Sequence, residues 1–520
     1  MKRRMNLMDF DRRPPANPAN LLQPQSFIHR VDRITMLETH ISWVFLTGSF
    51  AYKVKKPVSF PFLDYSSLAS RQKFCQLELE RNRKWAGDLY IDLVGLHGEE
   101  GTIHIGEADS QVEWAIRMHE FSQDDCLAKL AQKGPLPQVW IDDLAEHLVA
   151  AHQQADSVEL DSAYGRAESL KDQLIQCFID INHASQHQSQ SIDCGRLEIL
   201  IFRKLEALGQ LLNDRRTAGR VRECHGDLHL SNLIRWKGKT VGFDAIEFNA
   251  DFYWIDVWSD VAFAIMDLDS RGQYLAAARL LNCYAEYSGD YQGLECLTAY
   301  LAYRAMVRAR INALRIIQNP PQSQVANEAL SEMMKYLKLA EGYFQERPLC
   351  IWITHGVSGS GKSSGMLGVI DRGRMVRVRS DVERKRLAGL KSLDKGPASI
   401  YTPEFSKATY QRCIELSRQI LKAGFPVIID ATFLKRWQRD LVYQLGKELT
   451  VPVHIARFEA EPSELISRVM NRKGDASDAT VEVVLRQLAE QEPLSDEELQ
   501  WVGNAGEKSS LYSPLEHKSS

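Results

Sequence analysis

The sequence predicts a multidomain α/β protein: a small β-rich lobe, a larger helical lobe, then a parallel sheet interleaved with helices. Three observations carry this. At 520 residues the chain exceeds one ordinary core, which makes two domains the natural expectation. Short β-rich runs dominate before about residue 120, and helical patterning takes over from about 140 to 344. Beyond Gln345-Glu346-Arg347-Pro348, apolar runs at 349–354, 376–378, 427–429 and 453–456 alternate with helical stretches. The expected division is a disordered segment at 1–24, a first domain at 25–345, a second at 346–502 and a flexible polar tail at 503–520.

Within the first lobe, 43–58 reads as a hairpin around the turn Thr47-Gly48-Ser49. Residues 67–85 form a helix with Leu77, Leu79 and Trp85 among many charges, and 112–118 form another strand. A strand-rich island is expected at 224–248, inside the helical lobe.

Composition narrows the function classes. Hydrophobic residues make up 44% and charged residues 25%, ordinary for a globular protein. From a net charge of -4 no global polyanion-binding character follows. The nine cysteines are odd in number, scattered and without a CxxC pair, which argues for a reducing compartment over disulfides or zinc. The basic N-terminus lacks a following apolar segment, and no long apolar run suggests a membrane span. The expected location is cytoplasmic.

Gly356-Val-Ser-Gly359-Ser-Gly361-Lys362-Ser363 fits G-x-x-x-x-G-K-[ST] and follows the apolar run LCIWIT. Glycines let backbone N–H groups wrap phosphate oxygens, and the next helix N-terminus favours negative charge. Lys362 is placed for the β- and γ-phosphates and the Ser363 hydroxyl for Mg²⁺, with Ser364 beside them. The strand at 427–430 ends in Asp430, at a second Mg²⁺-holding position or as a helix cap. Asp381 and Arg384 follow the strand MVRV. A carboxylate there faces the ligand crevice of an open sheet, and an arginine one turn later suits a phosphate. The bland alternative is a helix cap with a solvated basic face. Seven basic residues between 372 and 386 suit an anionic substrate, although charge runs are usually solvated. Arg468 and Arg472 share one helix face four residues apart, as a lid or as surface ion pairs.

A second constellation is His225-Gly-Asp227-Leu-His-Leu-Ser-Asn232. Asp227 and Asn232 have the D-x-x-x-x-N spacing of a kinase catalytic loop, and Asp244 follows the strand at 240–243. Asp227 would deprotonate an acceptor hydroxyl, while Asn232 and Asp244 would hold Mg²⁺.

These motifs carry resemblances. Residues 349 to about 490 resemble the P-loop kinase group that includes polynucleotide 5′-kinases, zeta-toxin-type kinases and gluconate-kinase-like enzymes. That resemblance implies Asp381 as general base, Arg384 on the acceptor's phosphate and Arg472 as a lid arginine. Residues from about 25 to 345 resemble the aminoglycoside phosphotransferase and choline kinase superfamily, with Gly226 where protein kinases have arginine. This implies a bilobal protein-kinase-like fold, Lys53 paired with Glu78 at the ATP phosphates, and Lys55 as the competing lysine. It also implies the hairpin at 43–58 as the phosphate cover, 113–118 as the adenine-contacting hinge and Asp260 as a brace of the catalytic loop. The pairing of THISWVFLTG and YKVKKPV with HGDLHLSN and GVSGSGKS resembles a bacterial family described as bifunctional aminoglycoside phosphotransferase/ATP-binding protein, or AAA-family ATPase.

The leading expectation is a phosphotransferase that uses ATP, or another NTP, with Mg²⁺. Its acceptor would be a hydroxyl-bearing small molecule or an RNA or DNA 5′ end. The alternatives are a nucleotide-dependent regulatory switch with a ligand-sensing kinase-like domain, and an aminoglycoside resistance kinase.

Overall fold

Alternation along the first hairpin sets the first sheet. In the computed structural model, which describes residues 23–60, 63–99, 102–106, 111–471 and 476–503, Tyr52 and Val54 enter an apolar core with Phe45 and Leu96. Ala51, on the opposite face, packs with Cys75, Leu79 and Ile116. The segments expected to be disordered or flexible therefore lie almost wholly outside the described residues.

The chain forms two compact units. The first comprises Met1–Gly134, Ala150–Ser169 and Asp214–Asp260. Its strands begin with β1 (Thr35–Glu38), β2 (Ser42–Leu46), β3 (Phe50–Lys55), β4 (Ser59–Phe60) and β5 (Leu63–Asp64). Helix α1 (Leu68–Ala86) follows, then β6 (Tyr90–Glu99), β7 (Thr102–Ile105), β8 (Gln111–His119) and α2 (Leu127–Lys133). Six strands form an antiparallel sheet in the order β1-β2-β3-β8-β6-β7. Ser67 starts α1 by accepting a hydrogen bond from the Ser70 amide, and α1 covers the Ala51 face.

The division between units falls inside four helices: α3 (Gln138–Gln154), α4 (Ala167–His187), α5 (Gly195–Thr217) and α7 (Val257–Ser270). The strand-rich island of the first unit is β9 (Val221–Glu223), β10 (Leu233–Trp236) and β11 (Lys239–Gly242), followed by α6 (Ala250–Tyr253) and β12 (Trp254–Asp256). β10 pairs with β11 and β12 with β9, each antiparallel.

The second unit comprises Pro135–Val149, Leu170–Asn213 and Val261–Ser520. Its helices α8 (Tyr274–Ser288), α9 (Leu294–Ile317) and α10 (Gln324–Gly342) precede the predicted α/β alternation. That alternation runs β13 (Ile351–His355), α11 (Lys362–Gly373), β14 (Val376–Arg379), α12 (Ser380–Leu387), α13 (Pro403–Lys422), β15 (Val427–Asp430), α14 (Arg436–Leu449) and β16 (Val453–Arg457). It closes with α15 (Pro462–Met470), α16 (Val481–Glu490) and α17 (Asp496–Leu499). The sheet is wholly parallel in the order β14-β15-β13-β16, which puts β13 and its glycine loop in the middle. Trp352, Met366, Val369, Ile370 and Ile428 lock α11 onto it. Each such aliphatic side chain contributes about 1.5–3 kcal/mol on full burial.

A side chain closes the β14 edge of this sheet. Asn282 on α8 donates Nδ2–H to the Met375 carbonyl at 2.9 Å and accepts the Arg377 amide through Oδ1 at 2.8 Å. An open strand edge is a liability, and this amide supplies the missing ladder partner. At the β16 edge, Ile455 exchanges backbone hydrogen bonds with Trp501 and Gly503.

Candidate nucleotide sites

In the first unit, the loop after β9 is built from the His225 ring outward. His225 donates Nε2–H to the Phe243 carbonyl at 2.9 Å and accepts the Asp227 amide through Nδ1 at 3.3 Å, so the ring is neutral. Burial lowers its pKa, in keeping with that tautomer. The buried Asp260 carboxylate accepts the His225 and Gly226 amides, each at 2.9 Å, and lies 3.2 Å from His152 Nε2. Gly226 has φ +88, and a Cβ there would sit 2.7 Å from the Phe252 carbonyl oxygen. Asn232 donates to the Asp227 backbone carbonyl at 3.0 Å and to its carboxylate at 2.9 Å. His229 Nε2 stands 3.3 Å from the same carboxylate.

Lys53 on β3 reaches Glu78 Oε1 at 2.7 Å and Asp244 Oδ1 at 2.5 Å. Burial opposes the Lys53 ammonium, but Asp244 and Glu78 outweigh it and its pKa stands well above that of an ordinary lysine. Burial likewise opposes the Glu78 carboxylate, yet Lys53 and Lys55 bring its pKa down to about 2. Asp244 has a left-handed backbone, φ 61, and donates its amide to the Tyr90 hydroxyl at 3.2 Å. Lys53, Glu78, Asp244, Asp227 and Asn232 therefore fall in one unit, with Lys53 bridging Glu78 and Asp244.

Two expectations for this unit change. Residues 113–118 lie mid-strand in β8, paired to β6 throughout and to β3 from Ala115 on, so they form no hinge. Glu113 is buried in an ion pair with Arg71 at 2.8 Å. The turn Thr47-Gly48-Ser49 joins β2 to β3, and the Gly48 amide donates to the Glu120 carboxylate at 2.7 Å. That amide is committed to a protein carboxylate rather than free to cover a phosphate. The sequence does not show this because Glu120 is distant in the chain.

In the second unit, the loop after β13 needs its glycines. Gly356, Gly359 and Gly361 have φ values of +149, +87 and +87. A Cβ on Gly356 would lie 2.3 Å from the Phe458 carbonyl oxygen, and one on Gly359 2.9 Å from that of Leu465. Lys362 folds over the loop, donating to the Gly356 and Val357 carbonyls at 2.8 and 2.7 Å. Ser363 and Ser364 stand on the first turn of α11, half-buried and exposed respectively. On α15, Arg468 donates to the Gly359 carbonyl at 3.3 Å. Arg472 lies outside the described residues.

Asp430 ends β15 and is buried, and its Oδ2 has no hydrogen-bond partner. A buried carboxylate oxygen without a partner is costly unless a cation or donor meets it. Together with the Ser363 hydroxyl, this donor set fits a hard divalent cation such as Mg²⁺. Asn232 and Asp244 offer the same oxygen chemistry in the first unit.

Asp381 lies one residue beyond the start of α12, half-buried. Arg384 is buried; its Nη1 donates to the Ile400 carbonyl at 2.8 Å and to Ser406 Oγ at 3.2 Å, while its Nε–H has no partner. Its guanidinium lies 5.3 Å from the Tyr401 ring centre. Most of the basic run around them is neutralised internally. Arg374 pairs with Asp269, Arg377 and Arg379 with Glu286, Lys385 with Asp478, and Arg386 with Glu383. That pairing accounts for five of the seven and weakens the anionic-substrate reading of the run, with Arg372 the one in the exposed class. The acidic partners at 269 and 286 are too far away in sequence to have signalled it.

The two loops stand in mixed α/β surroundings, the second as the glycine loop of a C-terminal P-loop domain on a parallel sheet. Residues 351–494 match the family described as "AAA domain". Uncharacterized proteins of Mycobacterium tuberculosis and Mycobacterium bovis are each 25% identical over 462 residues, spanning 88% of this chain and 90% of theirs. Among solved structures, an amicoumacin kinase in complex with AMP-PNP and Ca²⁺ aligns over 62% of this chain and 91% of its own, at 12% identity and a TM-score of 0.38. A choline/ethanolamine kinase family protein from Mesorhizobium loti covers 59% of this chain and 88% of its own, at 10% identity and a TM-score of 0.34. A gluconokinase from Sinorhizobium meliloti covers 32% and 91%, at 20% identity and a TM-score of 0.23. Among the described residues, no helix is long and apolar enough to cross a membrane.

Proposed function

We propose that this chain is an ATP-dependent phosphotransferase with one nucleotide site in each unit. The observation that carries the reading is the Lys53 ammonium bridging Glu78 and Asp244, in the same unit as the Asp227–Asn232 loop. A cation placed between those carboxylates is suited to the negative charge of a triphosphate. Asp227 takes the proton of an acceptor hydroxyl as its oxygen bonds to the γ-phosphorus and the bond to the ADP oxygen breaks. Asn232 and Asp244 would hold Mg²⁺, which when bound neutralises phosphate charge.

In the second unit, Gly356, Gly359, Gly361, Lys362, Ser363 and Ser364 would cradle the triphosphate, and Ser363 and Asp430 would hold the cation. Asp381 is the base for a second acceptor hydroxyl. The Arg384 Nε–H, left free by its other contacts, recognises an oxygen of that acceptor.

The internal pairing of the 374–386 basic residues favours a small hydroxyl acceptor over a nucleic-acid 5′ end. A transfer screen with γ-labelled ATP tests this, using the intact chain with sugars, nucleosides, aminoglycosides, proteins and 5′-hydroxyl RNA and DNA. The expected product is a labelled small molecule whose formation is lost in Asp227→Ala or in Lys362→Ala. Label on an RNA or DNA 5′ end, lost in Asp381→Asn, would support the nucleic-acid reading instead.

A further inference from the structure

Spacing by two places Lys53 and Lys55 on the same face of β3, yet they do different things. Lys55 is 1% exposed, with its ammonium 2.6 Å from Glu78 Oε2, 3.1 Å from the Tyr65 hydroxyl and in contact with Glu247 Oε1. Tyr65 in turn donates to Glu247 at 2.5 Å. So enclosed, Lys55 has no access to a nucleotide. Glu78, which is fully buried, divides its oxygens, Oε1 to Lys53 and Oε2 to Lys55. With one oxygen pinned, the other cannot swing away from Lys53.

The segment after β11 is gripped at four successive residues. Asp244 meets Lys53, the Ala245 amide donates to Asn82 Oδ1 at 2.9 Å, the Ile246 carbonyl accepts from Arg81 at 2.7 Å, and Glu247 meets Lys55. Lys53 and Lys55 both join this segment to the Glu78 carboxylate, Lys53 through Oε1 and the enclosed Lys55 through Oε2. A buried ion cluster of this kind is a poor source of net stability, because desolvation offsets attraction; its value lies in fixing geometry.

We infer that Lys55 is a positioning residue of the first nucleotide site, cross-linking the Glu78 that steadies Lys53 to the segment that presents Asp244. The inference rests on the reading that this site binds nucleotide with a divalent cation. Loss of Lys55 would free Glu78 Oε2 and leave Glu247 to its bond with Tyr65, cutting the tie between the two carboxylates, and the cation-holding oxygens would lose their alignment.

The test uses the full chain carrying Lys362→Ala, so that only the first site is read. Binding of a fluorescent non-hydrolysable ATP analogue is titrated against Mg²⁺ in that parent and after adding Lys55→Met, Lys55→Arg or Glu247→Gln. The expected result is an apparent Mg²⁺ affinity lowered about tenfold or more in Lys55→Met and Glu247→Gln, with partial recovery in Lys55→Arg. Nucleotide affinity without Mg²⁺ should change far less. Glu247→Gln keeps the shape of the side chain and decides the matter if Lys55→Met does not fold. An Mg²⁺ dependence equal to the parent's in Glu247→Gln and in any folded Lys55→Met would overturn the inference. A parent that binds no nucleotide would instead overturn the reading of the site itself.

Discussion

Lys53 and Asp244 stand 191 positions apart in the chain, and their ammonium and carboxylate lie 2.5 Å apart. The contact joins the central strand β3 to the segment beyond β11, and the left-handed φ of 61 at Asp244 aims the carboxylate there. With Glu78 on the other side, the lysine is held between two carboxylates.

Lys53→Met should therefore remove transfer at the first site while leaving the second intact. In a Lys362→Ala background, turnover should fall by about 10²-fold or more, as when one preorganised charge partner is lost. Labelled-ATP turnover measures it. Unchanged turnover would place the phosphate-binding cation elsewhere.

Asp381→Asn, read in an Asp227→Ala background, should abolish proton abstraction at the second site without disturbing the phosphate loop. Transfer should drop by about 10²–10⁴-fold, the range for a lost general base, with ATP affinity nearly unchanged. Calorimetry alongside product formation separates the two effects.

Gly356→Ala should damage the loop itself. The added Cβ meets the Phe458 backbone at 2.3 Å, and φ +149 is disfavoured for side chains other than glycine's. A destabilisation of about 1–3 kcal/mol is expected with loss of nucleotide binding, read from the thermal midpoint with and without ATP.

The phosphate loop was legible because its glycines answer a local demand for positive φ that the sequence spells out. The contact between Asp227 and Asn232 was legible for a similar reason, the two lying five positions apart in one loop. The choice between Lys53 and Lys55 was not, since both lie on one face and the difference comes from Tyr65 and Glu247, distant in the chain. The Asn282 clamp on β14 carries no sequence signature, as an asparagine inside a helix usually reads as a surface residue. The pairing within the basic run was illegible for the same reason: Asp269 and Glu286 neutralise Arg374, Arg377 and Arg379 from outside the local window. The strand β6 also escaped the sequence reading, while the hairpin turn at Gly48 was placed correctly but its amide bond to Glu120 was not foreseen.

Acid should weaken the second unit through His355. Burial, then the charges of Arg439 and Arg457, lower its pKa from 6.5 to about 4, and neither ring nitrogen has a hydrogen-bond partner. Between those two values the unfolded imidazole binds a proton and the folded one does not, so stability falls as the pH does. From pH 7 to 5 the loss from this group is about 2 kcal/mol. Unfolding midpoints at the two pH values should show a smaller drop in His355→Gln than in the wild type. An equal drop would assign the acid sensitivity to other groups.

The number of nucleotides bound per chain tests the central claim most directly. Calorimetric titration of the intact protein with a non-hydrolysable ATP analogue and Mg²⁺ should give a stoichiometry of two. It should fall to one in Lys362→Ala, to one in Lys53→Met, and to none in the double variant. A stoichiometry of one that either substitution leaves untouched, or no binding heat in the wild type, would contradict a nucleotide site in each unit.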